Sequence, residues 1–373
     1  MTAKERVMTA MRHEQPDWVP CFYRDIPEVR ERLLRELGLP DSEALFRFLE
    51  IDFRWVAPEY VGPKLTDPAR PLWQRNIWGA EFSYDQFSEG GGYWNVRRPP
   101  LESVEDPAEL EHYPWPKIEW FDFSTLAEQC ERYADFAIMT APGFASPGVL
   151  QCPVQELLGV ERSLTDPLVN PEFFAALVSK VTAFNRALCE AMMEASGNRI
   201  DFFRQGDDFG TQRALLLSPA LWREQIGPAL RAIAEPAKRA GAYYYHHSCG
   251  AIRDLIPDLL EIGVDVIDPV QVLSEGMVPA ELKAAFGDRV VFSGGVDEQE
   301  LLPNGTPKEV REGVWRLLDD MAIGGGFFVG PTHNFQVDIP TANILALYEA
   351  AYDWRPGRKD FHRCKVAATI VSK

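Results

Sequence analysis

The sequence predicts an α/β fold, and more specifically a (β/α)8 TIM barrel. Eight short apolar stretches occur near positions 20, 54, 138, 202, 245, 266, 292 and 328, and each is typical of a buried strand. Most of them are followed by a stretch with helical periodicity, which is the alternation expected of successive β-α units. No Gly-x-Gly-x-x-Gly motif follows the first predicted strand and no Walker motif is present, which disfavours a nucleotide-binding open sheet.

Composition narrows the class of protein. The chain has 373 residues, 46% of them hydrophobic, and one α/β barrel can hold this length. Its net charge of -18 makes a nucleic-acid surface or an anionic membrane an unfavourable partner. The six cysteines form no paired framework, the first residues resemble a polar helix start, and no apolar run reaches spanning length. We therefore expect a cytoplasmic protein.

The N-terminal region predicts three helices and two strands. Thr2 and Glu5 form a capping-box pattern at the start of the first helix. Gly38 and Pro40 end the second helix. The predicted helices span 3–12, 26–37 and 42–49, and the predicted strands span 18–22 and 53–56.

An aromatic insertion, residues 57–134, interrupts the alternation after the second strand. Trp78–Tyr84 and Gly92–Arg98 alternate as strands do, and the Gly-rich stretch 89–92 between them predicts a β-hairpin. An insertion of this length suits an excursion over an active-site mouth, and it equally suits an embellishment that only adds packing.

Regular alternation resumes after the insertion. We expect strands at 136–140, 200–204, 264–268, 290–293 and 327–329, and a further strand that runs from Tyr243 and breaks at Gly250. The expected helices span 154–164, 171–197, 219–240, 251–262, 278–286, 306–322 and 341–353, and 355–373 is a basic tail.

His247 and Cys249 are separated by one residue at the end of the strand that begins at Tyr243. Side chains two apart on a strand point the same way, so an imidazole and a thiolate would project together from its C-terminal end. That pair is half of a zinc site. The alternative is a small core cysteine beside a hydrogen-bonded histidine.

Polar residues follow the other predicted strands, at the end where barrel enzymes place their chemistry. Asp207, Asp208 and Asp297 are catalytic candidates, although each of them would also serve as a cap or turn residue. His333 is a candidate ligand. Asp268 precedes a proline and is typical of a turn. The substrate-binding candidates are Arg24, Arg54, Gln271 and Asn334.

Several motifs resemble the uroporphyrinogen decarboxylase superfamily. They are His247-Ser-Cys-Gly250 followed by Ile252-Arg-Asp-Leu-Ile-Pro257, then Asp268-Pro-Val-Gln271, Gly294-Gly-Val-Asp297 and Pro331-Thr-His-Asn334, in that order. The stretch Asp17-Trp-Val-Pro20 near the start also fits. The resemblance covers most of the chain and implies one barrel domain over residues 1–373. It also implies that two such chains can form a homodimer.

The resemblance implies two activities. Decarboxylases of the superfamily grip porphyrinogen carboxylates with an N-terminal Arg-Gln-Ala-Gly-Arg motif, but this chain has Cys21-Phe-Tyr-Arg-Asp-Ile26 there, so only Arg24 remains. Corrinoid-linked methyltransferases of the superfamily hold zinc with His-x-Cys and a later Cys. His247 and Cys249 match that pair, whereas the later position reads Gly330-Pro-Thr-His333 and Cys364 falls in the tail.

The resemblance thus favours a zinc-dependent methyltransferase in which His333 is the third ligand, or else binds substrate. Its donor would be a small methoxy, methylamine or thiol compound, as in O-demethylation. The aromatic insertion could line a pocket for a methoxylated ring or cage a quaternary ammonium group. Since the chain shows no corrinoid (cobalamin) module of its own, the corrinoid would arrive on a partner protein. A carboxy-lyase and a non-catalytic tetrapyrrole-binding barrel are the alternatives.

Overall fold

A curled sheet of seven parallel strands forms the centre of the computed structural model, which describes residues 1–87 and 90–357. Every pairing between neighbours in this sheet is parallel, as the predicted β-α units require. In sheet order the strands are Phe53–Val56, Ala137–Thr140, Phe202–Gly206, Tyr243–His247, Val266–Asp268, Val291–Val296 and Phe327–Pro331.

The first of the eight predicted strands, near residue 20, is a short bridging segment instead of a full strand. The Phe22 N–H donates to the Val329 carbonyl at 2.7 Å, and the Asp52 N–H donates to the Cys21 carbonyl at 3.1 Å. Cys21 also pairs in parallel with Val329. This segment therefore connects the last strand of the sheet with the residue before the first strand, and the fold is TIM-barrel-like.

The interior of the sheet is filled by side chains from all seven strands. Phe53, Phe202, Tyr245 and Phe328 belong to one buried cluster, and the Phe53 and Phe328 ring centroids are 5.2 Å apart. The other members are Ala137, Met139, Val266 and Val291 from the strands, Phe22 from the bridging segment, and Val7, Ala10 and Met11 from the first helix. Inward-pointing residues thus form a packed core, as in barrels of this size.

Helices cover the outside of the sheet, and their apolar faces form the larger buried cluster. The last predicted helix, Thr341–Asp353, has the bounds that the sequence indicates. The other α-helices are Ala3–Met11, Pro27–Leu37, Ser42–Phe48, Leu126–Arg132, Gln155–Leu158, Val160–Val169, Pro171–Ala195, Pro219–Gln225, Gly227–Arg239, Ile256–Glu261, Pro279–Phe286, Leu301–Asn304 and Pro307–Met321. Within the described ranges, no helix has the length and apolar character to cross a bilayer.

Two stretches predicted as single helices are each divided. The stretch 219–240 forms two helices because Pro228, just after Gly227, has no N–H to continue the hydrogen-bond ladder. The stretch 154–164 is divided at Gly159, whose φ of 84° lies outside the helical region.

The insertion after the second predicted strand contains two small antiparallel sheets. One pairs Glu59–Tyr60 with Phe121–Asp122, and the other contains Trp73–Arg75, Glu81–Gln86 and Gly92–Arg98. The Gln336 side chain, just after the last barrel strand, donates to the Tyr93 hydroxyl at 2.7 Å. Short 3-10 turns occur at Pro107–His112, Ile118–Trp120 and Arg253–Leu255, and Leu150–Val154 is an irregular turn in which Cys152 has a non-helical backbone conformation. Ser88, Glu89 of the predicted turn, and most of the predicted tail with Cys364 lie outside the described residues.

Candidate metal centre

His247 is the last residue of its strand and is oriented by the neighbouring strand. Parallel pairing places it beside Asp268, and its Nδ1 lies 2.7 Å from Asp268 Oδ2. Arg24 also donates to this carboxylate, at 3.0 Å, and lies 2.9 Å from His247 Nδ1. When a carboxylate holds one nitrogen of a histidine by a hydrogen bond, the other nitrogen is free to be a metal ligand. Histidine ligands of many metal ions are arranged in this way.

Cys249 lies in the turn that follows this strand, and its Sγ is 3.6 Å from His247 Nε2. Its backbone N–H donates to Asp208 Oδ1 at 2.8 Å. The next N–H, of Gly250, donates to the Gln271 side chain at 2.6 Å. A Cβ at Gly250 would fall 2.3 Å from the Gly210 backbone, so the turn closes only with glycine there. Asp208 and Gln271 therefore fix the position of the thiol.

His333, two residues after the last strand, brings its ring to the same place. One ligand atom from each of His247, Cys249 and His333 lies within 4.8 Å of the other two, which makes them a possible metal-binding triad. The two imidazole centroids are 6.0 Å apart. The Nδ1 atom of His333 is 3.9 Å from Glu298, an acid that the sequence analysis did not single out.

The electrostatics of the triad suit a cation. Burial and the Arg24 guanidinium lower the pKa of His247, and burial lowers the pKa of His333 to about 3, so both rings are neutral donors at pH 7. Burial raises the pKa of the Cys249 thiol well above its ordinary value. A metal ion is what would ionise such a thiol. Two imidazoles and one thiolate fit zinc with a fourth position open.

A cavity of about 440 Å³ opens beside the triad, and both histidines line it. Arg24 and Asn334, both predicted to bind substrate, also line it, as does Arg204, which follows Phe203 in the strand. Arg54 lines the same cavity, but its Nε donates to Glu43 at 2.7 Å. The cavity therefore lies at the carboxyl ends of several strands, where barrel enzymes bind their substrates.

Two of the three predicted catalytic carboxylates serve as backbone caps. Asp207 accepts hydrogen bonds from the Val149, Leu150 and Gln151 N–H groups, at 2.7, 2.7 and 2.5 Å. Asp297 caps the turn that follows its strand, accepting from Gln299, Glu300 and Leu301. Asp208 is the one that reaches the triad, 3.7 Å from His247 Nε2.

Sequence reasoning missed three residues at this site: it interpreted Asp268 mainly as a turn residue, and it did not select Arg204 or Glu298. Asp268 does end a strand and precede a proline, but its burial and its contacts with Arg24 and His247 depend on tertiary pairing. Arg204 carried one signal, a cation at the carboxyl end of the predicted strand 200–204.

The fold and the triad define a class: a TIM-barrel-like protein with a candidate metal centre at the carboxyl end of its sheet. A family model described as uroporphyrinogen decarboxylase (URO-D) matches residues 89–354, which is well over half of the chain, and the protein belongs to that family. No curated protein matches the sequence.

Solved structures add a likeness in fold. A methyltransferase from Methanosarcina mazei matches with a TM-score of 0.62 and 17% identity, over 94% of this chain and 98% of that one. A 3-keto-D-glucoside 4-epimerase from E. coli matches with a TM-score of 0.33 and 11% identity, over 61% of this chain and 85% of that one. The second likeness is too low to support an argument, and the first concerns the fold alone.

Proposed function

We propose that the protein is a zinc-assisted methyltransferase that moves a methyl group between a small methylated compound and a corrinoid carried by a partner protein. The observation that carries this proposal is the convergence of His247, Cys249 and His333 within 4.8 Å at the carboxyl end of the barrel. The Methanosarcina mazei protein of similar fold is a methyltransferase, which is consistent with the proposal.

Each residue of the triad would contribute one ligand to the metal, and neighbouring residues hold these ligands in position. Asp268 accepts a hydrogen bond from His247 Nδ1, which leaves Nε2 free to be a metal ligand. Cys249 supplies the one anionic donor, and its turn is anchored by Asp208. When bound, zinc would supply Lewis acidity toward a methoxy oxygen or a thiol at neutral pH. Asp208, whose Oδ1 lies 3.7 Å from His247 Nε2, is the carboxylate we propose to exchange a proton with the substrate beside the triad.

The cavity beside the triad is our proposed substrate site, and the insertion 57–134 is proposed to cover its mouth. The contact between Tyr93 and Gln336 supports this position, because Gln336 follows the strand that carries His333. We further propose one barrel domain, a cytoplasmic location, a homodimer, and no nucleic-acid or membrane partner. The corrinoid, bound to its partner protein, would have to enter the mouth of this cavity.

A carboxy-lyase is the second candidate. Two cavity arginines, Arg24 and Arg204, each have a buried Nε without a hydrogen-bond partner among the described residues, and such donors suit a substrate carboxylate. Decarboxylation does not call for two neutral imidazoles beside a thiol, however, and that donor set is why methyl transfer is preferred. A barrel that only binds a tetrapyrrole is the third possibility.

Metal analysis of protein purified without chelator tests the proposal. We expect about one zinc per chain, loss of most of it in Cys249→Ala, and retention in the matched control Cys152→Ala, whose thiol contacts Glu156 and is not part of the triad. Methyl transfer should follow the zinc content. A metal-free wild type that decarboxylates a small acid would establish the second candidate instead.

A further inference from the structure

The cavity beside the metal triad is lined by more positive than negative side chains, although the chain as a whole has a net charge of -18. Its charged lining consists of Arg24, Arg30, Arg54 and Arg204 together with Asp25 and Glu43. A cationic cavity in an acidic protein is a local feature that overall solubility does not explain.

Two of the four arginines are neutralised inside the cavity. Arg30 forms an ion pair with Asp25, and the Nε of Arg54 lies 2.7 Å from Glu43. Both acids are thereby used, and neither is left to neutralise Arg24 or Arg204.

The other two guanidinium groups are incompletely paired. Arg24 donates to Asp268 at 3.0 Å and to the Thr332 carbonyl at 2.6 Å, but its Nε is buried and has no partner in the described part of the chain. Arg204 also has a buried Nε without a partner, and within the described residues no carboxylate lies within ion-pair distance of it. Asp268 carries one charge, which Arg24 and His247 already share.

A guanidinium whose Nε is buried and which has no carboxylate within ion-pair distance among the described residues, as at Arg204, is costly, so its presence calls for an explanation. Burial lowers the pKa of Arg204, the Asp268 carboxylate acts in the opposite direction, and the neighbouring Arg24 adds to the lowering. An oxyanion in the cavity would remove this cost by pairing with two guanidinium groups at once.

We propose that this cavity binds a small organic acid whose anionic oxygens pair with Arg204 and Arg24 while the rest of the molecule faces His247 and His333. The inference rests on the proposed function for the identity of the substrate cavity and names the class of its occupant. Aromatic side chains in the lining, among them Phe22, Phe46 and Trp55, favour an aromatic acid. A methoxylated aromatic acid therefore fits, whereas a quaternary ammonium donor would meet the positive charge of Arg204, which no carboxylate pairs at ion-pair distance within the described residues.

The test measures binding and needs neither metal nor corrinoid. Four probes of similar shape are titrated calorimetrically into the purified chain: 4-methoxybenzoate, 4-methoxybenzenesulfonate, 4-methoxybenzamide and (4-methoxyphenyl)trimethylammonium. We expect at least one of the two acids to bind about 10- to 100-fold more tightly than the amide, and the ammonium compound not to bind. The two acids distinguish a carboxylate preference from a sulfonate preference.

Variants assign the preference to Arg204. Arg204→Gln should lose most of the preference for acid over amide, and Arg204→Lys should retain part of it, since it keeps the charge but not the fork. The control Arg199→Gln removes the same charge just before the same strand, where Arg199 faces Glu131, and should change the preference less than about 2-fold. Circular dichroism checks that each variant is folded.

Each outcome bears on one proposal. Amide binding as tight as acid binding, no acid binding up to about 10 mM (an affinity below the usual range for a substrate), or an unchanged preference in Arg204→Gln would overturn the organic-acid inference. Strong acid selectivity in a protein that holds no zinc and transfers no methyl group would support the inference while refuting the proposed function.

Discussion

The Nδ1 atom of His247 lies 2.7 Å from Oδ2 of Asp268, and the two residues end neighbouring parallel strands in register. Asp268 is fully buried and also pairs with Arg24. Although burial opposes its ionisation, Arg24 and His247 hold the pKa of Asp268 well below its ordinary value. A charged carboxylate therefore orients the imidazole through Nδ1, the ring nitrogen that is not proposed to bind the metal.

Replacing this carboxylate should weaken metal binding without removing a ligand. We expect Asp268→Asn to lower zinc affinity about 10- to 100-fold, because the amide no longer holds His247 with a charge. Competition with a zinc chelator measures the affinity. The control Asp254→Asn changes an exposed acid and should have no effect. Equal affinities for Asp268→Asn and wild type would argue against His247 as a ligand.

Zinc affinity should rise about tenfold between pH 7 and pH 8. The Cys249 thiol has a raised pKa and must lose its proton on binding, whereas both imidazoles are already neutral, His333 having a pKa of about 3. One proton is thus released per zinc. Calorimetry in buffers of different ionisation enthalpy counts that proton, and a count near zero or two would contradict the assignment.

The Asp207 carboxylate should matter for stability and not for metal binding. It accepts three backbone hydrogen bonds, so Asp207→Ala would leave buried N–H groups unpaired and cost about 3 kcal/mol in free energy of unfolding. Asp297→Ala removes a more exposed cap and should cost about 1 kcal/mol. Urea titration measures both. Loss of methyl transfer in a fully stable Asp207→Ala protein would return Asp207 to the catalytic group.

Uroporphyrinogen should not be decarboxylated at an enzyme-like rate. A substrate with many carboxylates needs many cations, but only Arg24 remains of the family's N-terminal arginine motif, and Arg30 and Arg54 of the cavity are already paired. Product analysis after incubation with uroporphyrinogen tests this. Turnover on the order of 1 per second would be a clear contradiction.

Methyl transfer should require a second protein. The chain alone is expected to leave a methoxylated aromatic acid unchanged, and addition of a cognate corrinoid protein in its reduced state should produce the demethylated acid. The assay follows both the corrinoid absorbance and the phenol product. Demethylation by the isolated chain, with no corrinoid added, would show that the partner is unnecessary.

Sequence reasoning was sufficient where local pattern determines structure. Apolar periodicity and end signals predicted the helix Thr341–Asp353 and the strand Phe53–Val56 with their observed bounds. It was less reliable where pairing partners decide, as at residue 20, where the expected strand is only a bridge to Val329. A short strand forms or fails according to the hydrogen bonds its neighbours offer, and these come from distant parts of the chain.

The sequence by itself determined that His247 and Cys249 lie near one another, because only one residue, Ser248, separates them along the chain. Only the tertiary structure decided that His333 joins them, since the curvature of the sheet sets distances across it. It also decided that Asp208 reaches the triad while Asp207 turns to backbone N–H groups, and that Arg204 has no carboxylate at ion-pair distance within the described residues. Such choices depend on what surrounds each side chain, which chain order alone does not specify.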